Sequence, residues 1–292
     1  MVDLARLAWF GWDGSSGMVQ LKRLCLNAAV SQSTEIQKPI VITIRTHVGR
    51  VRTNNEDALR CDAAAGLAAL ADGMGGLAAG EVASNLAIEV MFDELLKAQP
   101  VSAAVLKAAI LKSDRAIHLA GLARQLVMGT TLVVWQRLTT SEALVAHVGD
   151  SRCYRLRGAV TTLLTRDHSV VQQRLEAGLI TASEAWHAPD RHLITQALGL
   201  GEPIVVDVQT VETAAGDRFL LCSDGLTDMI DESELARLCG AERSGAERSG
   251  AERSSAERSS AEPDDASLAD ALLTAALAAG GRDNVSLIIL RL

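Results

Sequence analysis

Apolar positions in this chain follow two rhythms. Short unbroken runs, many of them β-branched, read as strands, and the clearest is Ile40-Val41-Ile42-Thr43-Ile44. A polar loop from Gly49 to Asp57 follows, and residues 58–62 and 66–71 then read as a pair of strands. The rhythm next changes. Val82, Leu86 and Val90 with Ala83, Ala87 and Met91 form an apolar stripe, opposite Glu81, Asn85, Glu89 and Asp93. That spacing predicts an amphipathic helix from about Ala79. An Ala-rich helix is expected from about Ser102 to Gln125.

From Gly129 onward the runs are short again. They predict a meander of strands at 130–138, 143–149, 152–157 and 160–164, then short helical pieces at 169–177 and 181–186. Strands are expected at 204–213 and 217–223, a helix at 265–279 and a last strand at 285–291. Runs of strands joined by tight turns, with the helices grouped, argue for antiparallel sheets and segregated helices.

Two segments stand apart. Residues 1–38 show no sustained periodicity and are unassigned. They lack the apolar core and cleavage site of a signal peptide, because Asp13 interrupts Trp9, Phe10 and Trp12. An extension is expected there; the alternatives are an interfacial anchor or an over-long start with Met18 as the initiator. Within 240–262, Gly240-Ala-Glu-Arg-Ser244 recurs with a five-residue period. The segment has no large apolar side chain to offset its ordering entropy, so it reads as a flexible insertion. The remainder, 39–292, reads as one domain.

Charge and composition narrow the function. A formal net charge of −8 disfavours nucleic acid and anionic membrane as partners, and no apolar run is long enough to span a bilayer. Five scattered cysteines without a C-x-x-C pair fit reduced thiols in the cytoplasm.

The chemistry sits in acidic stretches. Arg52-Thr-Asn-Asn-Glu56-Asp57, Asp72-Gly73-Met74-Gly75-Gly76, Ser223-Asp224-Gly225-Leu-Thr-Asp228 and Gly281-Arg-Asp283-Asn284 stand out, with Gly149-Asp150-Ser151-Arg152 beside them. Three of these follow an apolar run directly, so a strand holds each terminal carboxylate rigidly. Any one alone is an ordinary turn. Brought together they would repel unless a cation neutralised them. Oxygen-only ligands suit magnesium, manganese or calcium, and the near absence of His and Cys argues against zinc.

From about residue 40 to 292, leaving out the repeats, the chain resembles bacterial metal-dependent protein phosphatases of the type 2C serine/threonine family. The markers are Gly49-x-Val51-Arg52-x-x-Asn55-Glu56-Asp57, Asp72-Gly-Met-Gly-Gly76, Met128-Gly-Thr-Thr131, Gly149-Asp-Ser-Arg152, Ser223-Asp-Gly225 with Asp228, and Asp283-Asn284. Residues 175–199 resemble the flap beside the active site. The resemblance implies an α+β fold, an αββα sandwich of two antiparallel sheets with helices outside. It implies two manganese or magnesium ions and a weaker third. Asp72 would bridge the two ions, with the Gly73 carbonyl on one; Asp224 and Asp283 would hold the other. Glu56 and Asp57 would act on the first through water, Arg52 would grip the phosphate, and Asp150 and Asp228 would form the third site. Met74 stands where many eukaryotic relatives carry a proton-donating His, and methionine cannot fill that role. His47 stands where an Asp is frequent.

The expected activity is hydrolysis of phosphoserine and phosphothreonine in proteins by a metal-activated water, opposing a Ser/Thr kinase, as a monomer. The alternatives on the same fold are a catalytically silent phosphoprotein-binding module, which would be expected to lose metal ligands, and a regulatory phosphatase with a narrow partner docked by the repeats.

Overall fold

Leu67, Ala69 and Ala71 pack into one buried cluster, while Ala68 and Leu70 alternate into another. Phe219 and Leu221, and Ile288 and Leu290, likewise enter the second cluster, whereas Leu220, Cys222, Leu287 and Ile289 enter a third. A strand apolar on both faces must be covered on both sides, which is why these runs do not alternate with polar residues. Three cores separate four layers.

The computed structural model describes residues 39–75, 79–98, 100–244 and 264–292, all within the compact unit Gln37–Leu292. The N-terminal extension and the repeats beyond Ser244 lie outside the described residues. The strands are β1 (Val41–His47), β2 (Asp57–Asp62), β3 (Leu67–Met74), β4 (Gly129–Thr130), β5 (Leu132–Arg137), β6 (Glu142–Val148), β7 (Arg152–Arg157), β8 (Val160–Leu163), β9 (Asp207–Glu212), β10 (Arg218–Cys222) and β11 (Val285–Arg291). The helices are α1 (Ala79–Lys97), α2 (Ala103–Arg124), α3 (Val170–Glu176), α4 (Ala182–His187), α5 (Asp224–Thr227), α6 (Glu232–Ser244) and α7 (Asp265–Ala278).

One sheet has the order β1-β11-β10-β7-β8, the other β2-β3-β5-β6-β9, and all their pairings are antiparallel. The sheets meet over a core in which the rings of Trp135 and Phe219 lie 5.3 Å apart. Helices α1 and α2 cover the second sheet, and α5, α6 and α7 cover the first. This is the expected αββα sandwich. Ser102 caps α2 by accepting the Val105 N–H, and Gln125 ends it in the left-handed region at φ 57°. Among the described residues no helix is long and apolar enough to cross a membrane.

Three details differ from the pattern reading. β3 does not stop before Asp72; it runs on to Met74 because β4 pairs with Gly73 and Met74. Residues 224–227 form a short helix that periodicity is too brief to show. Helix α6, which the pattern reading did not contain, runs from Glu232 through Ser244, so the first repeat unit, Gly240–Ser244, belongs to a helix and not to the insertion. Alanine, glutamate and arginine are good helix formers, and a preceding packed turn spares them the cost of nucleation.

Candidate metal centre

The acids gather where elements end. Asp57 opens β2 directly opposite Asp72 of β3. Asp224 opens α5 immediately after β10, and Asp283 stands two residues ahead of β11. Asp150 sits in the turn after β6, where Gly149 takes φ +100°. Asp72 feels the charges of Asp57, Asp224 and Asp150, and Asp224 feels those of Asp150, Asp228 and Asp283. One acidic well therefore collects residues from both sheets.

Small side chains fix the backbone around it. The Thr131 N–H donates to the Asp72 carbonyl at 2.9 Å, and the Asp72 N–H donates to Thr131 Oγ1 at 3.1 Å. Thr130 Oγ1 donates to the same carbonyl at 2.8 Å, and Thr131 Oγ1 lies 2.7 Å from Ser151 Oγ. Ser223 Oγ donates to Asp57 Oδ2 at 3.0 Å while accepting the Ser286 N–H at 3.1 Å. These contacts account for the Gly-Thr-Thr and Gly-Asp-Ser markers. The backbone also closes tightly: a Cβ on Gly73 would fall 2.1 Å from the Gly80 carbonyl oxygen, and one on Gly225 only 1.9 Å from that of Asn284.

The well is built for positive charge. Burial pushes the Asp57 carboxyl up to about 6, against hydrogen bonds from Ser286 and Ser223 that lower it. Burial, then the nearby Asp167, raises Asp150 to about 7. Asp72 and Asp224 are raised well above the carboxylate range by burial and by their acidic neighbours. Asp57 Oδ1 and Asp224 Oδ1 are buried with no hydrogen-bond partner. Buried carboxylate oxygens without donors, in an all-oxygen set, fit hard divalent cations.

Not every predicted residue converges in the same way. Arg52 Nη2 donates to Asp283 Oδ2 at 2.6 Å, so the arginine rests on an acid of the well. Asp228 faces Arg191, whose Nε is 3.6 Å from Asp228 Oδ2 and whose Nη2 donates to the Asp228 carbonyl at 2.9 Å. The Glu56 side chain lies against Gly80, and its carbonyl accepts from Ser84 Oγ at 2.6 Å. The tightest His/Asp set among the described residues is elsewhere: the ligand atoms of His147, His168 and Asp207 lie within 4.8 Å of one another. His168 has both nitrogens engaged, by the Gly149 N–H at 3.2 Å and by Asp207 Oδ2 at 3.2 Å, and His147 Nε2 pairs with the Arg166 carbonyl at 2.7 Å. This is a hydrogen-bonded brace behind the Gly149-Asp150 turn.

With this geometry established, residues 46–273 match the family model described as Protein phosphatase 2C. The chain belongs to the protein phosphatase 2C family. Within the family it is similar to the serine/threonine phosphatase stp of Listeria monocytogenes serotype 4b (strain F2365), at 35% identity over 216 residues covering 68% of this chain and 83% of that protein. It is similar to the crystal structure of the Mycobacterium tuberculosis serine/threonine phosphatase PstP/Ppp, with TM-score 0.74 and 35% identity over 87% of this chain and 99% of the other. A structure of the PstP catalytic domain in complex with two manganese ions gives TM-score 0.72 at 34% identity, over 87% of this chain and 98% of that one.

Two residues of this phosphatase-family chain matter more than their sequence context suggests. Asn284 ties three segments: its Oδ1 accepts the Glu56 N–H at 2.8 Å, and its Nδ2 donates to the Val48 and Asn54 carbonyls at 3.0 and 2.8 Å. It fixes the loop carrying Arg52 and Glu56. Arg191 joins the flap to the well, and its guanidinium also lies 5.0 Å from the Trp186 ring centroid. The Asp-Asn pair signals the first; nothing in the local sequence signals the second.

Proposed function

We propose that this chain removes phosphate from phosphoserine and phosphothreonine in proteins at a pair of manganese or magnesium ions. The observation that carries this reading is the acidic well with partnerless buried carboxylate oxygens on Asp57 and Asp224. Support comes from a similar structure that holds two manganese ions and from a relative named a serine/threonine phosphatase. Asp72 would hold both ions, with the Gly73 carbonyl beside it. Asp224 and Asp283 would hold one, and Glu56 and Asp57 would position water on the other. Asp150 and Asp228 would form a weaker third site, where a cation has to compete with Arg191.

When bound, the ions supply charge neutralisation for the phosphate and an acidified water. The chain supplies the rest. Arg52 offers a planar, permanently charged fork to the phosphate oxygens. Thr130, Thr131, Ser151 and Ser223 are engaged in bracing the backbone, so none is poised as a covalent nucleophile and the attack is by water. Met74 supplies no proton to the leaving oxygen. This reading places the chain in the cytoplasm as a monomer, with phosphorylated proteins as substrates and a Ser/Thr kinase as its opponent.

Hydrolysis of p-nitrophenyl phosphate and of phosphothreonine peptides is expected with manganese, and its loss in chelator. Full turnover in metal-free protein would reject the reading. Arg52→Ala is expected to lower kcat/KM by about ten- to two-hundredfold, the scale of a charge-assisted hydrogen bond. The same change leaves Asp283 without its 2.6 Å partner, so calorimetry should show manganese binding retained or tightened. Loss of manganese binding in Arg52→Ala would show that the arginine holds the site together instead of gripping phosphate.

A further inference from the structure

The flap and the well enclose two different spaces, divided by the Arg191–Asp228 contact. On one side is a cavity of about 470 Å³ walled by Asp150, Asp167, Asp231 and Glu232. On the other is an open cleft of about 620 Å³ that contains Arg52 and Asp283 together with Arg282, His192, Trp186 and Met229. Both spaces carry acids of the well, but Arg52 and Arg282 line only the second.

Two arginines of the cleft rest on acids, Arg52 on Asp283 and Arg191 on Asp228, but Arg282 does not. Arg45, Arg152, Arg157, Arg166 and Arg174 each rest on a carboxylate. Arg282 makes no side-chain hydrogen bond or ion pair among the described residues, and neither does Arg50 beside it, whereas His192 lies within electrostatic reach of Asp228. The two arginines are held close by the fold: the Arg50 N–H donates to the Gly281 carbonyl at 2.7 Å, and the Arg50 stem lies against Gly281. The Arg282 stem crosses the Gly280 position beside Met229 Sδ. In a chain of net charge −8, unpaired cations have collected at one rim, next to the arginine that faces the well. Like charges held together are unfavourable until an anion joins them.

We propose that this cleft binds a second anionic group of the phosphoprotein substrate, a carboxylate or a second phosphate close in sequence to the phosphoresidue. Arg282 is the specificity residue. The proposal rests on the phosphatase reading and names its substrate class: acidic or multiply phosphorylated segments. A residue of extended chain spans roughly 3.3–3.6 Å, so a neighbour one to three positions from the phosphoresidue reaches a group on the same cleft wall. Arg52 takes the phosphate that is removed; Arg282 holds one that stays.

The test uses the full chain with manganese and four substrates. Three are phosphothreonine peptides of one sequence, differing nearby in a glutamate, a second phosphothreonine or a lysine; the fourth is p-nitrophenyl phosphate. Wild type should favour the glutamate and diphosphorylated peptides over the lysine peptide by about five- to thirtyfold in kcat/KM, the scale of a partly exposed charge contact. The preference should shrink with added salt. Arg282→Gln should remove it through KM, Arg282→Glu should invert it, and Arg282→Lys should restore part of it. All three should leave p-nitrophenyl phosphate turnover near wild type. A preference for only one of the two anionic peptides identifies the group that the cleft accepts. Equal turnover of all peptides by wild type, or an equal fall for every substrate in Arg282→Gln, overturns the proposal while leaving the phosphatase reading intact. No hydrolysis of any substrate overturns both.

Discussion

Asp72→Asn should lower phosphopeptide turnover by at least about a thousandfold, since several kcal/mol of transition-state stabilisation pass through the ions it would hold. The same substitution should raise the stability of the metal-free protein. Asp72 lies within electrostatic reach of Asp57, Asp224 and Asp150. Asparagine keeps a polar group of the same size and removes one ionisable group from the cluster. Melting in chelator, manganese calorimetry and steady-state kinetics would read all three effects. Wild-type manganese affinity and turnover in Asp72→Asn would remove Asp72 from the centre of the site. A lower melting temperature in chelator would show that the repulsion is not what limits the metal-free fold.

The second large effect depends on pH. In metal-free protein, the Asp57 carboxyl rises from 3.8 to about 6, and that of Asp150 to about 7, chiefly through burial. Each raised carboxyl contributes stability that is full below its unfolded value near 4 and is lost as pH rises through 6 to 7. For Asp57 the shift corresponds to roughly 3 kcal/mol. Bound cations favour the ionised carboxylates and reverse the trend. The gap in melting temperature between manganese-loaded and chelated protein should therefore widen from pH 4 to pH 7.5, by about 5–10 °C. A gap that stays constant across that range would mean that these acids are not where the ions bind.

Much of this architecture was legible because one physical cause produced both the pattern and the fold. The run Leu67–Ala71 is apolar throughout since each face of β3 meets a different core. The acids that follow such runs, Asp72, Asp150 and Asp224, could be read as candidate ligands because a strand end fixes its next residue in space. The resemblance supplied the roles, and the structure brought the same residues within electrostatic reach. What stayed hidden depends on approach across the chain. Arg52 and Asp283 pair over a separation of 231 residues, and Arg191 reaches Asp228 from the flap. Local pattern contains neither contact. The brace of His147 and His168 was hidden for the same reason, since their rings stack from two different segments. Helix α6 was hidden at its C-terminal end because a five-residue repeat matches no helical period, although its composition favours a helix.

The place of β11 has a consequence for how the protein comes into being. It lies between β1 and β10, and Thr46 Oγ1 meets Ser286 Oγ at 2.8 Å across 240 residues of chain. At a synthesis rate of roughly 5–20 residues per second, β1 waits about 12–48 s on the ribosome for its only strand partner among the described residues. During that interval β1 and one side of β10 are open edges, the kind of surface that chaperones shield. Asp283 and Asn284 emerge just ahead of β11, so the acidic well is also incomplete throughout. If the proposed ligand set is right, a ribosome stalled before residue 283 would carry a chain whose acidic well lacks Asp283.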